Sequence, residues 1–144
     1  MSWLVLIPDP AQINWLAVLV AALAAFTAGA VWYTVLFSKA WLRYHLVSPE
    51  RQAKMGSSPV TTFLLMFLAY AVMATVLEIL IQALGIRNPL QGAELGLLIG
   101  LGIALFVTLV ENRLQNKPVK GFLIDGSFQV IVLSMMGGIV ASWP

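Results

Sequence analysis

The sequence predicts an all-α integral membrane bundle of four transmembrane helices, with a short interfacial helix in the first cytoplasmic loop. Three observations carry that expectation. Of 144 residues, 60% are hydrophobic and only 10% charged, whereas soluble domains carry about 25% charge and could not hide so much apolar surface at this size. Residues 10–38 contain no Asp, Glu, Lys or Arg, and about 20 apolar residues in helix cross a bilayer core. Three more apolar stretches follow, separated by polar links rich in Pro, Gly and Asn. The chain reads as a single transmembrane domain, 1–144, with spans at about 12–38, 60–84, 90–112 and 119–143.

Each element has local signals. Met1–Ile7 is too short to span and is expected at the interface, with Trp3 as an anchor. It lacks a basic start, and Pro8-Asp9-Pro10 interrupts its apolar run, so no cleaved signal peptide is expected. Asp9 followed by Pro10 reads as a helix cap with proline in the first position, opening a helix that runs through Phe37 and toward His45. Ser48-Pro49-Glu50 repeats that signature and predicts a surface helix over Pro49–Met55, ended by Gly56-Ser-Ser-Pro59. The second span closes at Gly85, a residue suited to the helix stop. Asn88-Pro89 opens the third span, Asn116-Lys-Pro118 breaks the chain again, and the fourth follows.

Two small-residue stripes recur at every fourth position: Ala17, Ala21, Ala25 and Gly29 in the first span, and Gly92, Gly96, Gly100 and Ala104 in the third. Small residues let helix backbones approach closely. The partner of the second stripe is open at this point: span one, span four or another chain. Gly126, Ser134, Gly137 and Gly138 form a further smooth face on span four.

Orientation follows from the cations. Lys39, Arg43, Arg51, Lys54, Arg113, Lys117 and Lys120 lie in or beside the first and third links, and only Arg87 lies on the opposite side. Excess Lys and Arg marks the cytoplasmic side, so both termini are expected to be non-cytoplasmic in a multi-pass protein of the cell inner membrane. Trp32, Tyr33, Lys39 and Trp41 read as anchors at the inner interface, while Trp3, Trp15 and Trp143 fall at the outer one. Because the cations are sorted by link and not gathered in a patch, the net charge of +2 does not point to nucleic acid.

From Trp32-Tyr33 through Phe37 and Lys39 to Trp41 the sequence resembles a widespread bacterial family of small four-span membrane proteins of unknown function. Asn14-Trp15-Leu16 looks like that family's opening, and the link ending near Gly56 and the glycine-bearing fourth span are compatible with it. Thr34-Val35 stands where the family pattern has Ser-Pro, and Ser38 where it has Gly. Without that proline the helix is expected to run straighter here. The resemblance implies the fold and no known activity.

The polar residues inside the spans are the candidates for chemistry, since an ionisable side chain at mid-helix costs about 2.5–3.5 kcal/mol on insertion scales. Glu78 shares a face with Thr75 and Gln82, roughly 9 Å below the outer end by helix rise. It reads either as a hydrogen-bonded acid tying span two to a neighbour or as a protonation site. Asp125 and Gln129 share a face of span four, Asp125 about 9 Å from the inner end. Arg113, Lys120 or Lys39 is expected to snorkel to Asp125. With Glu111 these residues form a candidate ladder from outer to inner face, in which water or a partner subunit would have to bridge Glu78 to Asp125. Arg87 and Glu94 are placed to pair at the outer surface.

Chemistry of other kinds lacks its parts. There is no Cys, which excludes disulfides, thiol catalysis and Cys-type zinc sites. His45, the single histidine, reads as an interfacial side chain because the carboxylates are scattered in depth, so no metal and no cofactor is expected. Thr61, Thr62, Ser127 and Ser134 have no histidine base in reach, and no phosphate-binding glycine loop occurs. The expected function is non-enzymatic: helix packing, as a homo-oligomer or accessory subunit of a larger membrane complex, with lipid and other membrane helices as partners. The alternative is a small proton- or cation-coupled carrier using the ladder.

Overall fold

Backbone N–H and C=O groups in hydrocarbon must be satisfied within their own segment, which makes helices of the apolar stretches. A computed structural model describes residues 8–45 and 59–143. The chain runs through α1, Trp15–Leu36, then the short α2, Ser38–Tyr44, then α3, Pro59–Ala83, α4, Pro89–Leu114, and α5, Val119–Ser142. All but α2 are long and apolar enough to cross a membrane, with mean hydropathy of 1.7 to 2.4. The protein is an all-α bundle and a multi-pass membrane protein. The surface helix expected over Pro49–Met55 and the Trp3 anchor lie outside the described residues.

Helix α5 is the hub, and every other helix packs on it. Its buried positions Phe128, Val132, Met136 and Val140 follow one another at each turn and form the core with Leu77 and Ile81 of α3 and Ala21, Ala22 and Ala25 of α1. The first small-residue stripe faces this core: Ala17, Ala21 and Ala25 are fully buried, and Gly29 lies under the Tyr70 hydroxyl and the Phe128 ring. The partner of the second stripe is α5. A methyl on Gly100 would lie 2.8 Å from the Cα of Val130, and one on Gly96 would lie 2.8 Å from the Cα of Ser134 while overlapping the Leu133 carbonyl. Gly92 and Gly137 face each other in the same way, and the Ser134 hydroxyl crosses the seam to donate to the Ala93 carbonyl at 3.0 Å. Ala104, at the end of the stripe, is half-buried.

Helix ends follow local chemistry. At Gly85 (φ 67°) and Asn116 (φ 52°) the chain enters the left-handed region. In each case that residue's N–H and the next one bond back to the last turn, Gly85 to Gln82 and Ile86 to Ile81, Asn116 to Arg113 and Lys117 to Asn112. This closes the orphan carbonyls in the Schellman manner. Asn88 caps α4 by accepting from the Leu90 N–H at 2.7 Å.

Two expectations for α1 need correction. Asp9 and Pro10 open only a single 3-10 turn, Pro10–Gln12, and the helix proper starts under a second cap, where Asn14 accepts from the Ala17 N–H at 3.1 Å. Nor does the helix run straight without proline. Val31–Leu36 winds as a π-helical turn, Phe37 donates to the Trp32 carbonyl at 2.9 Å, and the helix breaks at Phe37 (φ −125°, ψ 16°) before α2 begins. Proline is one cause of a helix irregularity, and a wide turn that keeps its hydrogen bonds is another. A second such turn, Gly100–Ala104, interrupts α4.

The α4–α5 seam predicts contrasting glycine substitutions. Gly96→Ala forces the two backbones apart and is expected to cost about 1–3 kcal/mol. Gly102→Ala, which meets nothing within 4 Å, is expected to leave stability unchanged or slightly raised. Thermal unfolding in mild detergent, followed by far-UV circular dichroism, distinguishes them.

Candidate functional site

The polar groups inside the bundle gather at its two ends. At the end holding the N-terminal turn and the α3–α4 link, Glu78 is 4% exposed. Its Oε1 accepts from the Asn14 backbone N–H at 3.1 Å and from Gln82 Nε2 at 2.6 Å. Gln82 Nε2 also donates to the Gln12 carbonyl at 2.8 Å. Together they hold the start of α1 against α3. A 470 Å³ cavity opens beside them, lined also by Arg87, Val140 and Trp143. Among the described residues Arg87 and Glu94 form no ion pair with each other.

The other cluster centres on Asp125. Tyr33 donates its hydroxyl to Oδ1 at 2.9 Å, Trp41 donates Nε1 to the same oxygen at 3.2 Å, and His45 Nε2 lies 2.7 Å from Oδ2. Trp41 stacks on the imidazole with ring centroids 4.5 Å apart, and Lys117 Nζ lies 3.0 Å from Nδ1. An ammonium only donates, so Nδ1 accepts and the ring proton sits on Nε2, which lies close to Asp125 without an aligned hydrogen bond. A 210 Å³ cavity beside the cluster is lined by Thr108, Glu111, Asn112 and Gln115 as well as His45, Lys117 and Asp125.

These partners differ from those the sequence suggests. Asp125 pairs with His45, and none of the three expected cations reaches it: Arg113 donates to Asn112 Oδ1 and to the Lys117 carbonyl, Lys120 lies over the Tyr44 ring, and Lys39 is exposed. The reason is the helix break at Phe37, after which α2 packs on α5 and presents Trp41 and His45 one turn apart. The aromatic anchors turn inward as well, Trp32 donating to the Ile124 carbonyl at 3.2 Å and Tyr33 and Trp41 to Asp125. His45 and Lys117 carried no such signal in the sequence, where they belong to two different links.

The six polar residues of the candidate ladder fall into separate groups. Glu78 and Gln82 bond each other, Thr75 donates to the Ala71 carbonyl of its own helix, Glu111 lines the cavity at Asp125, and Gln129 is half-buried. Along α5, from Asp125 to the Val140 that borders the Glu78 cavity, the core positions are Phe128, Val132 and Met136, all at 0–1% exposure. No hydrogen bond among the described residues crosses that layer. Apolar interiors of this kind stay dry.

Two measurements follow. Leucine at 78 leaves the Asn14 N–H unpaired and is expected to cost about 1–3 kcal/mol, whereas Glu78→Gln keeps an acceptor oxygen and most of the stability; thermal melts of both variants decide it. For His45, burial is the larger influence and pushes the imidazole below its ordinary 6.5, with Lys117 reinforcing and Asp125 opposing. The unfolded chain therefore binds the proton first, and stability is lost as pH falls below 6.5 toward the folded-state value. Melting between about pH 7.5 and 5.5 should show this slope, and His45→Gln should flatten it.

No curated protein and no solved structure shows significant similarity to the chain. A family model covers residues 16–141, from the first turn of α1 to the last turn of α5, and so takes in the Asp125 cluster, the glycine seam, and Glu78 with Gln82, but not their partners Gln12 and Asn14. The chain belongs to that family, which is described as Protein of unknown function (DUF1761).

Proposed function

We propose that the protein is a non-enzymatic integral membrane protein that acts through helix packing, as a homo-oligomer or accessory subunit of a larger membrane complex. In this reading its cation-rich end faces the cytoplasm and both termini lie outside, following the sorting of Lys and Arg among the links. The observation that carries it is the position of α4. This helix packs almost wholly against α5, and only 11% of its apolar window is buried, against 28–44% in the other spans. Its glycine stripe is already occupied, so another chain would meet the opposite face, where Leu97, Leu98, Leu101, Phe106 and Val110 are exposed.

The acids support the same reading. Glu78 and Asp125 each spend their hydrogen bonds on joining helices, and a carrier would need water to cross the dry layer between them.

Because the chain has no Cys, single cysteines report contacts cleanly. Leu98→Cys or Phe106→Cys on α4 is expected to form disulfide-linked chains on mild oxidation in native membranes, while Leu68→Cys on the exposed face of α3 serves as the comparison. A protein that stays a lone monomer, unlinked at every position and without a copurifying partner, overturns the proposal.

A further inference from the structure

A second, larger cavity touches Asp125 and its two donors, Tyr33 and Trp41. It measures 530 Å³ and lies between the π-helical turn of α1, the α2 segment and the first turns of α3. This is within the range of about 300–1,000 Å³ usual for small-molecule sites. Its walls are apolar: Phe26 and Phe63, edge to face at 5.8 Å, with Met66 and Leu42. Asp125, Tyr33, Thr34, Ser38 and Trp41 supply the polar atoms.

Those atoms have a common bias. The Tyr33 and Trp41 protons are committed to Asp125, and the Thr34 hydroxyl donates to the Ala30 carbonyl. What these three leave facing the cavity is acceptor oxygen and ring face, and the Ser38 hydroxyl can turn to donate or accept. The carboxylate itself has about four acceptor positions, of which Tyr33 and Trp41 take two, while His45 Nε2 lies 2.7 Å from Oδ2 without forming an aligned hydrogen bond. His45 does not discharge it, because burial holds the imidazole toward its neutral form. No Lys or Arg lines the cavity among the described residues. A site of acceptors, aromatic faces and negative charge, opening on apolar walls, is complementary to a donor-rich cation carried on a hydrocarbon chain. An anionic head would face the Asp125 carboxylate, with the Ser38 hydroxyl as its one side-chain donor and no cation among the described lining residues.

We propose that this cavity binds a membrane-borne amphiphile with a primary ammonium head, the ammonium at Asp125 and the chain along Phe26, Phe63 and Met66. The fold explains the placement. The wide turn over Val31–Leu36 and the break at Phe37 hold Tyr33 and Trp41 on one carboxylate oxygen, so the head site and the opening toward lipid are built by the same irregularity.

The full chain in nanodiscs, titrated with dodecylammonium, dodecanol and dodecanoate and read by calorimetry, tests this. Dodecylammonium should bind saturably and about tenfold or more tighter than dodecanol, the worth of a hydrogen bond to a charged group, and dodecanoate should not bind. Asp125→Asn should remove that advantage. Ala30→Phe, which fills the cavity without touching Asp125, should abolish saturable binding while the far-UV spectrum is kept. It decides the matter even where the Asp125 variant does not fold. Equal affinity for the alcohol and the ammonium, no saturable binding, or binding unchanged in Ala30→Phe overturns the proposal.

Discussion

Lipid tails are as apolar as leucine, so the drive that collapses a soluble core is absent between these helices, and close approach has to replace it. The α4–α5 seam is where that replacement is most complete. With Gly92, Gly96 and Gly100 set against Leu133, Ser134, Gly137 and Val130, main chain lies directly on main chain. Many small dispersion contacts then sum where a side chain would have held the helices apart. Carbonyl oxygens of Leu133 and Gly137 pointing at glycine Cα positions add weak polar attraction of a kind common at such crossings. α5, gripped along one face by α4, offers its other face to α1 and α3, and the core around Phe128, Val132 and Met136 follows from that arrangement.

Directional ties then hold the ends. In a medium of low dielectric an unpaired polar group is costly and a paired one correspondingly effective. Glu78 joins the beginning of α1 to α3, and Asp125 gathers donors from α1 and α2 and lies beside the residue that ends α2. Each acid sits near an end and not at mid-depth, with buried hydrocarbon between. The two acids are therefore separated by the buried apolar positions Phe128, Val132 and Met136.

The departure from regular helix at Val31–Leu36 connects the fold to its candidate binding site. π turns widen a helix and recur at functional positions. Here the wide turn and the break at Phe37 let α2 pack on α5, with Trp41 stacked on His45 and both against Asp125. A polar cavity with Lys117 and Glu111 meets Asp125, and so does an apolar cavity at the edge of α3. Asp125 and Trp41 border both cavities.

Much of this architecture was legible because it is local. Run length and the absence of charge define the spans, since a helix in lipid needs nothing beyond its own backbone to satisfy its hydrogen bonds. Gly85 and Asn88-Pro89 mark a stop and a start because φ and capping are properties of single residues. Small residues at every fourth position say that a neighbour can come close, but the spacing is indifferent to which neighbour. What the sequence by itself determined is which stretches are helices long and apolar enough to cross a membrane and where the chain turns between them. Only the tertiary structure decided that α5 receives the glycine seam, that a helix without proline still bends at Phe37, and that Asp125 meets His45 and Lys117 and not a snorkelling Arg113. Those outcomes depend on contacts between residues far apart in the chain, whose energies no local pattern records.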